Sequence, residues 1–210
     1  MSKHHAPVFP RLPGPSAGLT IGVMGGTFDP PHSGHAHIID VARQRLGLDA
    51  VWVFPAASNP LKRTHTAFVD RFAAAQRRLS GPRTLVTSLE SDLGLIYTVD
   101  LLRRLKKLAP HAKFVWIMGA DSLASFDKWR QWRSIARLVP IVVISRPGAT
   151  ASVGLSRFAR MFGDYRLHAS DARTLARHKA PAWTYITAPF DQTSSTDLRA
   201  MMQMNSVMPV

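Results

Sequence analysis

The chain has 210 residues, 46% of them apolar, no cysteine and a net charge of +14. This length and apolar content support one domain with a sizeable core, and the missing cysteines exclude disulfides and thiol catalysis. The positive charge favours anionic ligands, whereas no apolar run reaches the ~18 residues of a membrane span, which excludes a membrane protein.

The N-terminal segment differs in composition from the rest of the chain. Its first 18 residues include four prolines, at positions 7, 10, 13 and 15, and lack the apolar stretch of a signal peptide. We therefore expect a disordered extension over residues 1–18, a single domain over residues 19–210 and a cytoplasmic location.

Strands and helices alternate through the remainder of the chain. Short apolar runs rich in β-formers predict strands, and longer amphipathic runs predict helices. Strands are predicted at 19–24, 50–55, 84–87, 113–118, 140–145 and 183–187, and helices at 36–46, 68–79, 97–108, 152–161 and 195–202, with another helix opening at 119. The rest of residues 149–180 is expected to be loop. This alternation predicts an α/β fold: a single doubly wound, Rossmann-like parallel sheet with helices on both faces.

The turn between the first strand and the first helix carries the strongest motif, Gly-Gly-Thr-Phe-Asp-Pro-Pro-His-Ser-Gly-His over residues 25–35. A helix N-terminus has unsatisfied N–H groups and a partial positive charge, which favour phosphate. Gly25 and Gly26 are expected to take unusual dihedral angles and to let a polyanion approach the main chain. His32 and His35 are three residues apart and so face the same ligand.

Zinc is a second interpretation of the histidine pair. With no cysteine, the only nearby third ligand is His37, which points off the face shared by His32 and His35. We therefore predict no metal site built from protein side chains.

Further polar residues follow the other predicted strands. Because ligands bind at the carboxyl ends of the strands in such sheets, these residues form one predicted rim. They are Asn59, Lys62, Gly119, Asp121, Arg146 and the run Ser194-Ser195-Thr196. In the last of these, hydroxyls at a helix N-cap precede Arg199 by about one turn, which forms a second candidate anion site.

Two motifs together carry a family resemblance. Residues 25–35 resemble the signature of nucleotidyltransferases with a Thr/His-x-Gly-His motif, and residues 194–199 resemble their Ser-Ser-Thr-x-x-Arg motif. The segments 59–62, 97–100, 118–123 and 145–148 agree in the same order. Over roughly residues 20–200 the chain thus resembles the nicotinate-nucleotide adenylyltransferases, although it ends about ten residues after Arg199 where family members continue into a helical tail.

This resemblance implies transfer of the adenylyl group of ATP to nicotinate mononucleotide, which gives nicotinate adenine dinucleotide and pyrophosphate in NAD biosynthesis. It implies Mg²⁺ bound through the ATP phosphates rather than by the protein. The implied catalytic residues are His32, His35 and Arg199. The implied ATP contacts are these three with Gly25, Gly26, Thr27, Phe28, Arg146, Ser195 and Thr196. The implied acceptor contacts are Lys62 for a phosphate, Asp121 for a ribose hydroxyl, and Thr98 and Trp129 for the nicotinate ring.

Other interpretations stay open. Trp129 and Trp132, expected three residues apart on one helix, could simply pack, and Asp121 could be an ordinary helix N-terminal carboxylate. A sister adenylyl- or cytidylyltransferase would take nicotinamide mononucleotide or phosphopantetheine instead. A non-catalytic nucleotide- or RNA-binding module would also suit the charge, but no aromatic-interleaved basic stripe is present, which disfavours nucleic acid as a partner. Homo-oligomerisation is left open.

Overall fold

The structure is a computed structural model that describes residues 11–61, 64–145 and 156–188. The strands in these residues are β1 (Thr20–Gly26), β2 (Ala50–Pro55), β3 (Thr84–Val86), β4 (Lys113–Gly119), β5 (Ile141–Ser145), β6 (Arg166–Leu167) and β7 (Trp183–Thr187). They form one sheet in the order β3-β2-β1-β4-β5-β7-β6, and every neighbouring pair is parallel. The predicted α/β fold with a parallel sheet is confirmed.

Helices connect these strands. They are α1 (Ser33–Leu46), α2 (Phe68–Leu79), α3 (Leu89–Asp92), α4 (Thr98–Leu108), α5 (Ala120–Leu123), α6 (Trp132–Leu138) and α7 (Arg157–Met161), with 3₁₀ turns at Phe126–Lys128, Gly163–Tyr165 and Ala169–Arg177. Within the described ranges, none of these helices has the length and apolar character needed to cross a membrane.

The sheet is buried on both faces, and its central strands are accordingly apolar at most successive positions rather than at alternate ones. In β4, Phe114, Trp116 and Met118 point into one core cluster, whereas Val115 and Ile117 point into the other. Helices α4 and α6 cover the first face, and α1, α2 and the turn at Ala169–Arg177 cover the second. The two clusters hold the central strands rigidly from both sides.

The strand order reverses between β1 and β4. The chain runs from β1 outward through β2 to β3, and then crosses back to place β4 on the other side of β1. At such a switch point the loops after neighbouring strands diverge and leave a crevice at their carboxyl ends. The fold therefore leaves a cleft where β1, β2 and β4 end.

Three predicted local features differ from the structure. Residues 163–177 contain two 3₁₀ turns and the short strand β6 rather than loop alone. Trp129 and Trp132 are not on one helix, because Gln131 has a φ of 51° and separates the 3₁₀ turn from α6. Within the predicted disordered extension, Leu12 packs against the core. Residues 1–10 of that extension lie outside the described residues, and so do residues 152–155 and 195–202 of two predicted helices.

The unusual dihedral angles expected of the two motif glycines are not found, because neither glycine has a positive φ. Gly25 and Gly26 are the last residues of β1, and the positive φ in this turn, 48°, belongs to Phe28. What excludes a side chain at Gly25 is packing, because a Cβ there would lie 2.8 Å from the Trp116 ring. Glycine is therefore needed here to let the indole of β4 lie against the β1 backbone.

Replacing Gly25 by alanine should destabilise the chain because the buried Trp116 ring would have to shift. We expect Gly25→Ala to lower the free energy of unfolding by about 1–3 kcal/mol, measured by urea unfolding followed through tryptophan fluorescence. A Cβ at Gly81 would have no atom within 4 Å, so Gly81→Ala serves as the control and should change stability by less than about 0.5 kcal/mol. Equal effects of the two substitutions would contradict this account of Gly25.

Candidate active site

A cavity of about 380 Å³ lies in the cleft where β1, β2 and β4 end. Its walls combine residues that are far apart in sequence. The predicted site residues that line it are Gly25, Gly26, Thr27, Thr98, Asp121 and Trp129, together with Asn59 of the predicted rim. The structure thus brings the glycine turn, residues 25–27, and three of the predicted acceptor residues into one cavity.

The histidine pair lies at the start of α1. His32 is the N-cap residue with an extended backbone, and the ring centroids of His32 and His35 are 3.8 Å apart. The backbone N–H of His32 donates to Nδ1 of His35 at 3.2 Å. Because Nδ1 accepts this bond, a neutral His35 ring carries its proton on Nε2 and is a hydrogen-bond donor at that atom.

Phe28 supports this pair from the core. Its side chain is only 2% exposed, and its ring packs edge-on against the His35 ring with centroids 4.8 Å apart. A buried ring cannot contact a nucleotide, so Phe28 offers a ligand its backbone alone. Its left-handed φ is uncommon for a residue with a bulky side chain, which indicates that the surrounding packing holds this turn in place.

Residues 56–61, which follow β2, adjoin the glycine turn at the edge of the cavity, and a side-chain hydrogen bond links the two segments. Asn59 Nδ2 donates to Thr27 Oγ1 at 3.1 Å, while Asn59 Oδ1 accepts from the Leu61 N–H at 2.9 Å. The amide of Asn59 therefore fixes the loop to the motif at the edge of the cavity.

Behind these two segments lies a buried charged pair that the sequence analysis did not identify. Arg71 of α2 is 2% exposed, and Asp29 of the motif is 6% exposed. Burial lowers the pKa of Arg71, while the neighbouring Asp29 carboxylate opposes that shift. Asp29 accepts hydrogen bonds from the His65 N–H and from the Thr66 hydroxyl, both at 2.7 Å. The pair therefore joins the motif to the chain that leads into α2.

Aromatic side chains shape the far side of the cavity. Trp129 is held edge-on by Trp116 and by Phe126, at centroid distances of 6.0 and 5.4 Å. Beside it, the Arg130 guanidinium lies over the Tyr97 ring, 4.5 Å from its centroid. Because Trp129 and Tyr97 both line the cavity, this wall suits a flat ring.

Helix α4 begins at this wall. Tyr97 is its N-cap residue and Thr98 its first helical residue, and both line the cavity. The first N–H groups of a helix lack intrahelical partners and lie at the positive end of its dipole. This corner therefore favours a negatively charged group.

Glu90 is a second residue that the sequence analysis missed. It lies on α3, lines the cavity and is 5% exposed. Burial raises the pKa of Glu90 to about 8 because the surrounding protein replaces the water that would solvate its charge. At neutral pH this carboxyl is largely protonated, and it does not repel an anionic ligand in the cavity.

The remaining predicted residues are placed as follows. Asp121 is exposed on the rim, as the second residue of α5. Lys62, Arg146, Ser195, Thr196 and Arg199 lie outside the described residues. Within the described part of the chain, no three His, Asp or Glu side chains are grouped to hold a metal ion.

Comparison with known families identifies the class to which this fold and cavity belong. A model of the cytidylyltransferase-like family matches residues 23–201, which include the glycine turn, the histidine pair and the aromatic wall. The chain therefore belongs to the cytidylyltransferase-like family.

Curated relatives narrow the assignment within that family. A protein of Rhizobium johnstonii, named probable nicotinate-nucleotide adenylyltransferase, is 45% identical over 190 residues, which cover 90% of this chain and 96% of the relative. One of Agrobacterium fabrum with the same name is 46% identical over 183 residues, covering 86% of this chain and 98% of the relative. Within the family, the chain is a member of the nicotinate-nucleotide adenylyltransferases, and the resemblance seen in the sequence is confirmed.

Solved structures share the fold. Plasmodium falciparum nicotinic acid mononucleotide adenylyltransferase complexed with NaAD superposes with a TM-score of 0.63 at 19% identity, over 87% of this chain and 83% of that chain. Its complex with APC gives a TM-score of 0.60 at 18% identity, with the same coverage. The architecture is therefore retained at low sequence identity.

The burial of Glu90 should make stability depend on pH. The unfolded chain ionises this carboxyl near its ordinary value of 4.5, whereas the native carboxyl keeps its proton up to about pH 8. The native state thus binds more protons between these values, and Glu90 lowers stability as pH rises through them. We expect Glu90→Gln to stabilise the chain at pH 8 more than at pH 5, by at least about 1 kcal/mol or roughly 2–4 °C in Tm.

The measurement is thermal unfolding of both proteins at the two pH values. Asp164→Asn is the matched control, since Asp164 is exposed on a 3₁₀ turn and should shift Tm equally at both. A Glu90→Gln effect that does not change between pH 5 and pH 8 would show that Glu90 ionises normally in the native state.

Proposed function

We propose that this chain transfers the adenylyl group of ATP to nicotinate mononucleotide, which yields nicotinate adenine dinucleotide and pyrophosphate in NAD biosynthesis. The observation that carries the proposal is the single cavity at the switch point of the sheet. The glycine turn and an aromatic wall at a helix N-terminus line it, and the histidine pair, which is not part of that lining, follows the turn at the start of α1. Membership of the adenylyltransferases supports the same reaction.

The reaction needs little covalent assistance from the protein. A phosphate oxygen of nicotinate mononucleotide attacks the α-phosphorus of ATP, a new P–O bond forms, and the bond to the bridging oxygen of pyrophosphate breaks. The nucleophile is already anionic, so no general base is required. Catalysis then consists of holding both substrates in line and stabilising the charge that develops on phosphate oxygens.

The glycine turn and the histidines stabilise the charge that develops on the phosphate oxygens. Gly25, Gly26 and Thr27 supply backbone and hydroxyl donors at the end of β1, where they line the cavity. His35 is a donor at Nε2 because its Nδ1 accepts from the His32 backbone. We assign His32 and His35 to the ATP phosphates and to the leaving pyrophosphate.

The aromatic wall holds the acceptor, nicotinate mononucleotide, in position for the reaction. Trp129 stacks on the nicotinate ring, Thr98 lies beside it, and the N–H groups at the start of α4 receive the carboxylate. Donors aimed at a carboxylate disfavour nicotinamide, whose NH₂ group would face them with further donors. Asp121 on the rim binds a ribose hydroxyl.

The remaining contacts are assigned from the family motifs. Lys62 binds an acceptor phosphate, while Arg146, Ser195, Thr196 and Arg199 bind ATP. A cytoplasmic location stays a prediction, and the oligomeric state stays open.

Mg²⁺ fits this site as a partner of the ATP phosphates. The carboxylates that line the described cavity are Glu90, which is neutral at pH 7, and Asp121 on the rim, so the protein offers no acidic cage for the ion. Phosphate oxygens and water would hold it. When bound, it would neutralise charge on the phosphates of ATP and of the leaving pyrophosphate.

Purified chain with ATP and Mg²⁺ should release pyrophosphate when nicotinate mononucleotide is added. We expect kcat/KM for nicotinate mononucleotide to exceed that for nicotinamide mononucleotide by at least about tenfold, because the NH₂ group of the amide cannot accept from the donors of α4, whereas both oxygens of the carboxylate can. Phosphopantetheine with ATP, and CTP in place of ATP, are the controls for sister enzymes. A preference for any of these would overturn the substrate assignment, and no release with all of them would favour a non-catalytic module.

His35→Ala should lower kcat by about 10²–10⁴-fold, because the transition state loses a donor that is already oriented. The chain should remain folded by circular dichroism, since His35 is only half-buried. The control is His111→Ala, an exposed histidine just before the amino end of β4, opposite the cavity. A wild-type rate in His35→Ala would remove this histidine from the mechanism.

A further inference from the structure

The side chain of Arg71 is buried and donates to four backbone carbonyls. Nε donates to Thr66 O at 3.1 Å, and Nη1 donates to Thr27 O at 2.5 Å and to Ala56 O at 2.9 Å. Nη2 donates to Ala57 O at 3.2 Å. Arg71 is 2% exposed and does not line the cavity, so any effect on a bound substrate must pass through these segments.

Three of the four carbonyls that Arg71 holds belong to the two segments that follow β1 and β2, and the fourth, Thr66 O, precedes α2. Thr27 is in the glycine turn that follows β1, and Ala56 and Ala57 begin the loop that follows β2. The hydrogen bond from Asn59 to Thr27 joins the same two segments on the side that faces the cavity. The Ala56 N–H also donates to Gly26 O at 2.9 Å, where the pairing of β1 with β2 ends. Beyond that point the two segments are joined by a guanidinium behind them and by an amide in front.

The chemistry of this contact requires arginine. A guanidinium is planar and has five N–H donors in a fixed arrangement. Here it makes four hydrogen bonds, to carbonyls from three segments of the chain. A lysine ammonium has three donors at one point and cannot reach all four oxygens at hydrogen-bond distance. Asp29 provides the counter-charge without displacing these bonds, because it binds His65 and Thr66 instead.

We propose that Arg71 is a positioning residue for adenylyl transfer. It fixes the turn that receives the ATP phosphates to the adjoining loop after β2, beyond the point where the pairing of the two strands ends. The assignment of the turn to the ATP phosphates rests on the proposed function. We predict that loss of the Arg71 hydrogen bonds displaces the glycine turn and the loop after β2 relative to each other, and that this impairs catalysis in protein that is still folded.

The test compares Arg71→Lys with wild-type chain and with Arg78→Lys, an exposed arginine on the same helix. Steady-state kcat and KM for both substrates are measured well below the Tm of each protein. A displacement of reacting groups by about 1 Å reduces turnover on the order of 10²-fold, so we expect kcat/KM of Arg71→Lys to fall by at least about tenfold. Arg78→Lys should match the wild type.

Chemical rescue separates positioning from general stability. Arg71→Ala leaves a cavity of guanidinium shape, and added guanidinium at millimolar concentration should restore kcat/KM, whereas methylammonium should not. Loss of activity that follows only the unfolded fraction, with normal kcat and KM in the folded remainder and no selective rescue, would overturn the proposal. If Arg71→Ala does not fold, Arg71→Lys decides the question.

Two further measurements complete the test. In a double-mutant cycle, Arg71→Lys and Asn59→Ala should have non-additive effects on kcat/KM, because both side chains join the same segments. Additive effects would contradict a shared role. Amide hydrogen exchange at residues 27 and 56–59 should accelerate in Arg71→Lys and not in Arg78→Lys. Exchange needs no turnover, so an inactive wild type would refute the proposed function while the exchange result still decides whether Arg71 holds the two segments together.

Discussion

The hydrogen bonding of one buried guanidinium supports the geometry of the whole cleft. At the ends of β1 and β2 the chain leaves the sheet, and the carbonyls there lose the partners that a neighbouring strand would supply. A buried carbonyl without a partner costs roughly 1–3 kcal/mol, and Arg71 satisfies four at once. The charge is tolerated because Asp29 is close and the bonds replace the lost water. Helix α2 is thereby coupled to a cavity that its own residues do not line.

Aromatic packing connects the glycine turn to the aromatic wall through one indole, that of Trp116. Trp116 of β4 lies against the backbone of Gly25 and also meets the Trp129 ring edge-on, so the glycine turn and the aromatic wall share one rigid neighbour. Phe126 supports Trp129 from the core side. Close-packed interiors transmit small displacements, and the positions of both walls therefore depend on the same buried cluster.

The electrostatics of the cavity suit two anionic substrates. The chain carries a net charge of +14, and the carboxyl buried at the cavity wall, Glu90, is kept neutral by desolvation. The start of α4 and the histidine pair add oriented donors. Preorganised donors of this kind stabilise developing phosphate charge without rearranging during the reaction.

The amino-acid sequence was sufficient to predict the parallel α/β fold, the location of the glycine-histidine motif and the family. Continuous apolar runs predicted β1, β2, β4 and β5, and alternation predicted β7, whereas the two-residue β6 and the turns at 163–177 have neither pattern. The three-dimensional packing was needed to show why Gly25 must be glycine, that Trp129 and Trp132 lie on separate elements, and that Arg71 and Glu90 are buried. A charged residue on an amphipathic helix has the same local pattern whether solvent or a distant backbone lies beside it, and its burial depends on contacts that the local sequence does not contain.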